Sequence, residues 1–519
     1  MKKLFLGLSI STLLILSTVS VCGAISYKIT QITNNTYPYN DSGPQINNSG
    51  YVVWGETDYG SGTDIFLYDG TTTTQITDND YYKREGRINE NGYVVWQQQD
   101  SFNTEIFLYD GTTITQITDN AYYDLKPQIN VNGYVVWRGD TGSGNEILLY
   151  DGTSTTQLTN NDYADFAPQI NASGYVVWYG YISSSEIFLY DGTSTTQLTD
   201  NANQDKNPQI NDNGFVVWEK HTGLTELGGW EIFLYDGTDT TRITNTLYNE
   251  KTPQINDNGF VVWVGYEGNT GGNDEREIFL YDGTATTQIT NNAFADDYPQ
   301  INNNGFVVWE GHDGSDLEIF LYDGTTTIQI TDNAYNDVRP QINDNGFVVW
   351  EGHDGSDSEI FMAEPIGSAT ASSKDLQITI PGSRCFNINI ENLSSFDFTV
   401  SPSIIWTDTE PSDVTFAGGS VSVPAGQSQS VNLPCFEVGS EAQPGEYQFD
   451  ILWTETDSGG NPVNITTDPT LHLVYSDGGV GGSASMANKT ELLMPWIALA
   501  ALMIGTVIGG IFLRRKIRS

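Results

Sequence analysis

Tyrosine and aspartate recur together along this chain: Tyr37, Tyr39 and Asp41; Tyr122, Tyr123 and Asp124; Tyr163 and Asp165; Tyr335 and Asp337. A tyrosine ring supplies stacking area at little entropic cost, and a carboxylate accepts hydrogen bonds from hydroxyls or coordinates a cation. Together they suit recognition of a glycan or a protein surface. The competing reading is architectural: a tyrosine that plugs between neighbouring units and an aspartate that caps a turn. A second pattern is His312-Asp313-Gly314-Ser315-Asp316, repeated as His353-Asp354-Gly355-Ser356-Asp357. Asp313, Asp316, Asp354 and Asp357 could offer oxygens to calcium, although the spacing is shorter than an EF-type loop and the same residues favour a tight hairpin.

Catalytic motifs are scarce. No Gly-x-Ser-x-Gly nucleophile elbow occurs, and the four histidines, His221, His312, His353 and His472, show no metal-ligand spacing. The expectation is therefore a non-catalytic binding or scaffold protein with no cofactor, calcium apart. The alternative is an extracellular glycan-active enzyme, a hydrolase or lyase using paired carboxylates, but 66 acidic residues hide any such pair. Those acids stand against 21 basic residues, for a formal net charge of −45. Such a surface repels nucleic acid, attracts cations and favours solubility.

The elements that must position these residues follow from a repeat. An aromatic residue followed by Val-Val-Trp ends at Trp54, Trp96, Trp137, Trp178, Trp218, Trp263, Trp309 and Trp350, with spacings of 42, 41, 41, 40, 45, 46 and 41 residues. A period near 40 matches a four-stranded propeller blade. Pro127-Gln128-Ile129-Asn130 reads as the first strand, Tyr134 to Trp137 as the second, and Ile187 to Tyr190 represents the third. Asn-Gly and Asp-Gly pairs supply hairpin turns because both tolerate positive φ. The last third strand, Ile360-Phe361-Met362, has no Gln-Ile-Thr strand after it; Gln31-Ile32-Thr33 stands before the first repeat instead. A ring that takes its outermost strand from the other terminus closes and loses its exposed edges. The fold class expected is all-β: an eight-bladed propeller over residues 25–364, its last blade completed by the N-terminal strand.

These residues resemble the TolB-type propeller repeat over about 340 residues, with Ile129-Asn130-Val131-Asn132-Gly133 where that family usually has Trp-Ser-Pro-Asp-Gly. The resemblance implies a propeller fold and says little of function. Loops between the second and third strands, and from blade to blade, hold the length variation, including His221 to Trp230 and Glu267 to Glu277. That face is the expected site of binding to a protein or polysaccharide.

The rest of the chain reads as flanking modules. Residues 1–24 carry Lys2, Lys3 and an apolar run, the pattern of a signal peptide. Residues 375–476 show about seven strand-like runs, expected to form an immunoglobulin-like or fibronectin-like sandwich. Cys385 and Cys435 there are expected to form a disulfide in an exported chain. A Gly/Ser-rich linker occupies 477–491. An apolar run over 492–513 is long enough for a transmembrane helix, and the basic tail 514–519 places the C-terminus in the cytoplasm. The protein is thus expected at the cell surface, held by one membrane span, or alternatively by a tail that a sorting transpeptidase removes.

Overall fold

The computed structural model describes residues 25–477, apart from short stretches such as 36–38, 267–275 and 439–444. The expected signal peptide, linker, membrane segment and tail lie outside the described residues. Among those described, no helix is long and apolar enough to cross a membrane.

Every element among the described residues is a strand. The typical unit is a four-stranded antiparallel sheet in sequence order, Asp124–Ile129, Val135–Asp140, Asn145–Tyr150 and Thr155–Gln157. Sheets of the same order begin at Ala164, Asp205, Glu250 and Asp296. The first two units, starting at Tyr39 and Tyr82, are joined by one parallel pair between Thr63 and Tyr82. The last takes its fourth strand from the N-terminus: Ser26–Gln31 runs antiparallel to Ser358–Ala371, with Ile29 opposite Ala363. These stacked sheets form a β-propeller.

Val-Val-Trp forms the second strand of each sheet because it packs on both faces at once. Val135, Val136 and Trp137 are all fully buried, as are their counterparts in the other sheets. Val135 and Trp137 contact Val95, Ile106 and Leu108 of the preceding unit, whereas Val136 contacts Val176 and Trp178 of the next. Each such side chain stabilises the stack by about 1.5–3 kcal/mol.

The turn after each first strand does more than reverse the chain. Asn130 Oδ1 accepts the backbone N–H of Tyr134 at 3.0 Å, while its Nδ2 donates to the carbonyl of Asn171 in the next sheet at 3.0 Å. Asn47, Asn89, Asn130, Asn171, Asn211, Asn256, Asn302 and Asn343 all donate onward in this way, and Asn343 returns to the carbonyl of Asn47 at 2.9 Å. The circuit is closed.

Beyond these sheets the long strand Ser358–Ala371 continues across the boundary expected at 364 and pairs with Ile388–Asn392. More strands follow as far as Leu471–Asp477. Cys385 and Cys435 are register partners on adjacent strands and are joined by the expected disulfide.

Candidate functional site

The aspartates expected at the loop face lie inside the sheets. Asp41, Asp124, Asp165 and Asp337 are buried. Each stands 13 residues before its tryptophan and accepts the indole N–H, at 2.9 Å from Trp54, 2.8 Å from Trp137, 3.1 Å from Trp178 and 2.8 Å from Trp350. Gly139 faces Asp124 across the pair, and a Cβ there would come within 2.5 Å of the carboxylate, so the small residue makes room for the acid. The other oxygen of Asp124 accepts from Asn120 Nδ2 at 2.6 Å, and the backbone N–H of Asn120 donates to Glu105 of the preceding sheet at 3.1 Å. One asparagine thus ties two carboxylates of neighbouring sheets. Burial raises their pKa values: Asp41 to about 8, with the charges of Glu56 and Glu359 adding to it, Asp165 to about 6 and Glu318 to about 7. These four aspartates, read from the sequence as candidates for ligand binding, are instead committed to packing.

The tyrosines divide. Tyr39, Tyr122, Tyr123 and Tyr335 are exposed, Tyr163 is half-buried and stacks on Phe188 at 6.1 Å between centroids, and Tyr37 lies outside the described residues. The hydroxyls of Tyr122 and Tyr335 rest beside Gly142 and Gly355, where a Cβ would approach them to 2.6 and 2.7 Å. These rings lean on the hairpin turns of their own sheets.

The repeated His-Asp-Gly-Ser-Asp runs form tight turns. Asp313 Oδ1 accepts from Ser315 N at 2.8 Å and Oγ at 2.7 Å, and Asp354 does the same with Ser356. The acids gather differently from the sequence expectation. Asp313 joins Glu318 and Asp332, leaving Asp316 out, whereas Asp354 and Asp357 join Glu359.

The first strands surround a central channel of about 410 Å³, lined by Gln45, Gln128, Gln169, Gln209, Gln254, Gln300 and Gln341. Arg87 stands where an eighth glutamine would complete the set. Before the Pro-Gln pair the backbone bulges outward: Glu85, Lys126, Ala167, Asn207, Thr252, Tyr298 and Arg339 have φ between 50° and 59°. Such a conformation costs non-glycine residues about 1–3 kcal/mol each. Neighbouring sheets hold it in place; Gln97 accepts the Lys126 N–H at 2.8 Å, Glu219 that of Thr252 at 2.7 Å and Glu310 that of Arg339 at 2.8 Å.

At one seam the repeat is broken four times. Gly86-Arg87 replaces Pro-Gln, Gly55 stands where every other sheet has a larger residue (Gln97, Arg138, Tyr179, Glu219, Val264, Glu310 or Glu351), Lys83 replaces the tryptophan-binding acid, and Asp64 replaces glutamate. Lys83, buried, pairs with Asp64 at 2.7 Å and donates to the carbonyl of Asn79 at 2.6 Å, so the indole N–H of Trp96 is left without an acceptor among the described residues. The missing side chains open a cleft of about 760 Å³ that runs into the channel and is lined by Tyr82, Lys83, Arg84, Glu85, Arg87 and Arg339, among others. Arg87 Nη2 lies 3.7 Å from Glu85, and its Nε has no partner among the described residues. The other end of the channel is acidic, with Glu90, Asp212, Asp257 and Asp344. Gly86-Arg87 departs from Pro-Gln openly in the sequence, whereas Gly55, Lys83 and Asp64 carry a signal visible solely by aligning the repeats with one another.

No protein-family description and no curated protein matches this chain. Solved structures do resemble it. The β-propeller domain of the Trilobed protease from Pyrococcus furiosus is 13% identical with a TM-score of 0.42, over 58% of this chain and 98% of that domain. Puromycin hydrolase is 11% identical with a TM-score of 0.42, over 60% of this chain and 58% of that one. A putative TolB from Agrobacterium tumefaciens is 16% identical with a TM-score of 0.29, over 46% and 79%. The sheets themselves establish the fold, and the repeat carries the TolB likeness. The chain is a β-propeller whose repeat resembles the TolB type. The comparison also corrects one expectation. The sequence argued against an enzyme, yet puromycin hydrolase and an acylaminoacyl peptidase stand among the similar structures, and that expectation is withdrawn.

Proposed function

We propose that this TolB-like propeller binds a carboxylate-bearing partner, a protein or a polysaccharide, at the channel mouth on its variable-loop face. One observation carries the reading: four departures from an otherwise regular repeat meet at one seam, remove side chains and bring in cations. Local rules are broken in this way most often where function demands it. A guanidinium such as Arg87 offers a planar donor fork for a carboxylate, and Tyr82, which lines the same cleft, offers a stacking face. The acidic exterior does not oppose this, because charges beyond about 8 Å are screened at physiological salt. In the wider arrangement an eight-bladed propeller (25–364) is carried on an immunoglobulin-like or fibronectin-like module (375–476) and a Gly/Ser-rich linker (477–491). A signal peptide (1–24), a membrane helix (492–513) and a cytoplasmic tail (514–519) hold it at the cell surface.

The test restores the repeat. Arg87→Gln combined with Gly55→Gln should refill the cleft, since a Cβ at Gly55 meets only Thr63 Cγ2 at 3.3 Å at its closest. Wild type should retain uronate-bearing oligosaccharides or carboxylate-terminated peptides on an array, and the variant should lose at least tenfold in affinity. Equal binding by both proteins would end the proposal. Chromatography of the eluted ligand shows whether it left intact or cleaved, which separates a receptor from a glycan-active enzyme.

A further inference from the structure

At the seam where the N-terminal strand completes the last sheet, three carboxylates converge. One oxygen each from Asp354, Asp357 and Glu359 lies within 4.8 Å of the others. Two oxygens bound to one ion at about 2.4 Å can be no farther apart than that. Asp357 is 3% exposed, and its Oδ2 is buried with no hydrogen-bond partner among the described residues; Oδ1 accepts from Ser356 Oγ at 2.5 Å. A buried carboxylate oxygen without a donor costs several kcal/mol unless a proton or a cation meets it.

The surroundings favour a cation. Glu359 is fully buried and accepts from Thr33 Oγ1 at 2.5 Å and from Asn35 N at 2.9 Å. Asp41 and Glu56 stand behind it, and the charges acting on Asp41, Glu56 and Glu359 are all carboxylates. In the preceding copy of the motif Asp313 and Glu318 gather with Asp332 while Asp316, half-buried, stays outside, so a buried aspartate at the last position of the run is particular to the closing seam. The N-terminal segment completes the closing seam, where Asn40 Oδ1 also accepts the backbone N–H of Ser358 at 3.2 Å.

We propose that Asp354, Asp357 and Glu359 bind a calcium ion that fastens the N-terminal segment to the last sheet. The donors are all oxygens, hard and anionic, and the irregular turn suits calcium's flexible coordination better than the strict octahedron of magnesium.

Purified full-length protein, stripped with EGTA, is titrated with calcium chloride by calorimetry and melted with and without the ion. Wild type should show saturable binding and a higher melting temperature. Asp357→Asn should lose that site or weaken it at least tenfold, as should Asp354→Asn, whose side-chain oxygen can still accept from Ser356 and so keep the turn. Asp316→Asn should behave as wild type, which separates the site from diffuse attraction to an acidic surface. Absence of binding in wild type, unchanged binding in both seam variants, or an equal melting shift with magnesium would overturn the proposal.

Discussion

Glu318→Gln isolates the cost of the carboxyl pairs buried between sheets. Glu318 is fully buried, accepts the backbone N–H of Asn333 at 2.9 Å, and feels the charge of Asp337. Burial, and then that charge, raises its pKa from 4.5 to about 7. Between those values the folded protein holds a proton that the unfolded chain has released, so stability falls as pH rises through the window. The rise from 4.5 to about 7, at about 1.36 kcal/mol per pH unit, sets the loss at no more than about 3.4 kcal/mol. Glutamine imitates the protonated acid: its oxygen keeps the Asn333 bond and it carries no charge. The variant should match wild type near pH 4.5 and exceed it by about 2–3 kcal/mol at pH 8, measured by urea denaturation in calcium-free buffer. A wild-type-to-variant difference that does not change with pH would refute the reasoning.

Three more outcomes can be checked. Asn171→Ala removes the donor to the Asn211 carbonyl and the acceptor of the Tyr175 N–H, both buried or half-buried, so it should cost about 2–3 kcal/mol in denaturant melts. Deleting residues 26–33 strips Ser358–Ala371 of its edge partner and Glu359 of the Thr33 hydroxyl, and should lower the melting temperature by well over 5 °C in scanning calorimetry. Reducing the Cys385–Cys435 bridge, which closes a span of 50 residues, should cost about 4 kcal/mol, and calorimetry should place the loss in a transition separate from that of the propeller sheets.

The propeller was legible because its signals are local and repeated. Val-Val-Trp reports burial on both faces of a strand, and Asn-Gly reports a turn wherever it occurs. The displaced strand at Gln31-Ile32-Thr33 was legible by counting, and the structure pairs Ser26–Gln31 where that count required it. The site was less so, for three physical reasons. Asp124 and its counterparts look like loop acids by composition, but the bulge after them turns their side chains toward the tryptophan, and a bulge leaves no period in the sequence. Gly55 and Glu85, or Asp64 and Lys83, come together only when adjacent sheets stack, so neither pair reads as a motif. Glu359 sits in the repeated Glu-Ile-Phe, which announces an ordinary strand; its place among Asp354 and Asp357 depends on a turn that folds three acids together.

The asparagine circuit bears on how such a gene can change. Asn211, Asn256 and Asn343 each begin the same eight residues, Asn-Asp-Asn-Gly-Phe-Val-Val-Trp, and coding copies this alike invite misaligned recombination. In an open solenoid the result is a longer or shorter array whose remaining interfaces survive. Here each copy's amide is already promised to the next and the final one to the first. A product with one copy more or fewer cannot satisfy every partner without changing the angle at every seam. Copy number is thus policed by the folded protein, and variation is channelled into loop length, as in the stretches 221–230 and 267–277.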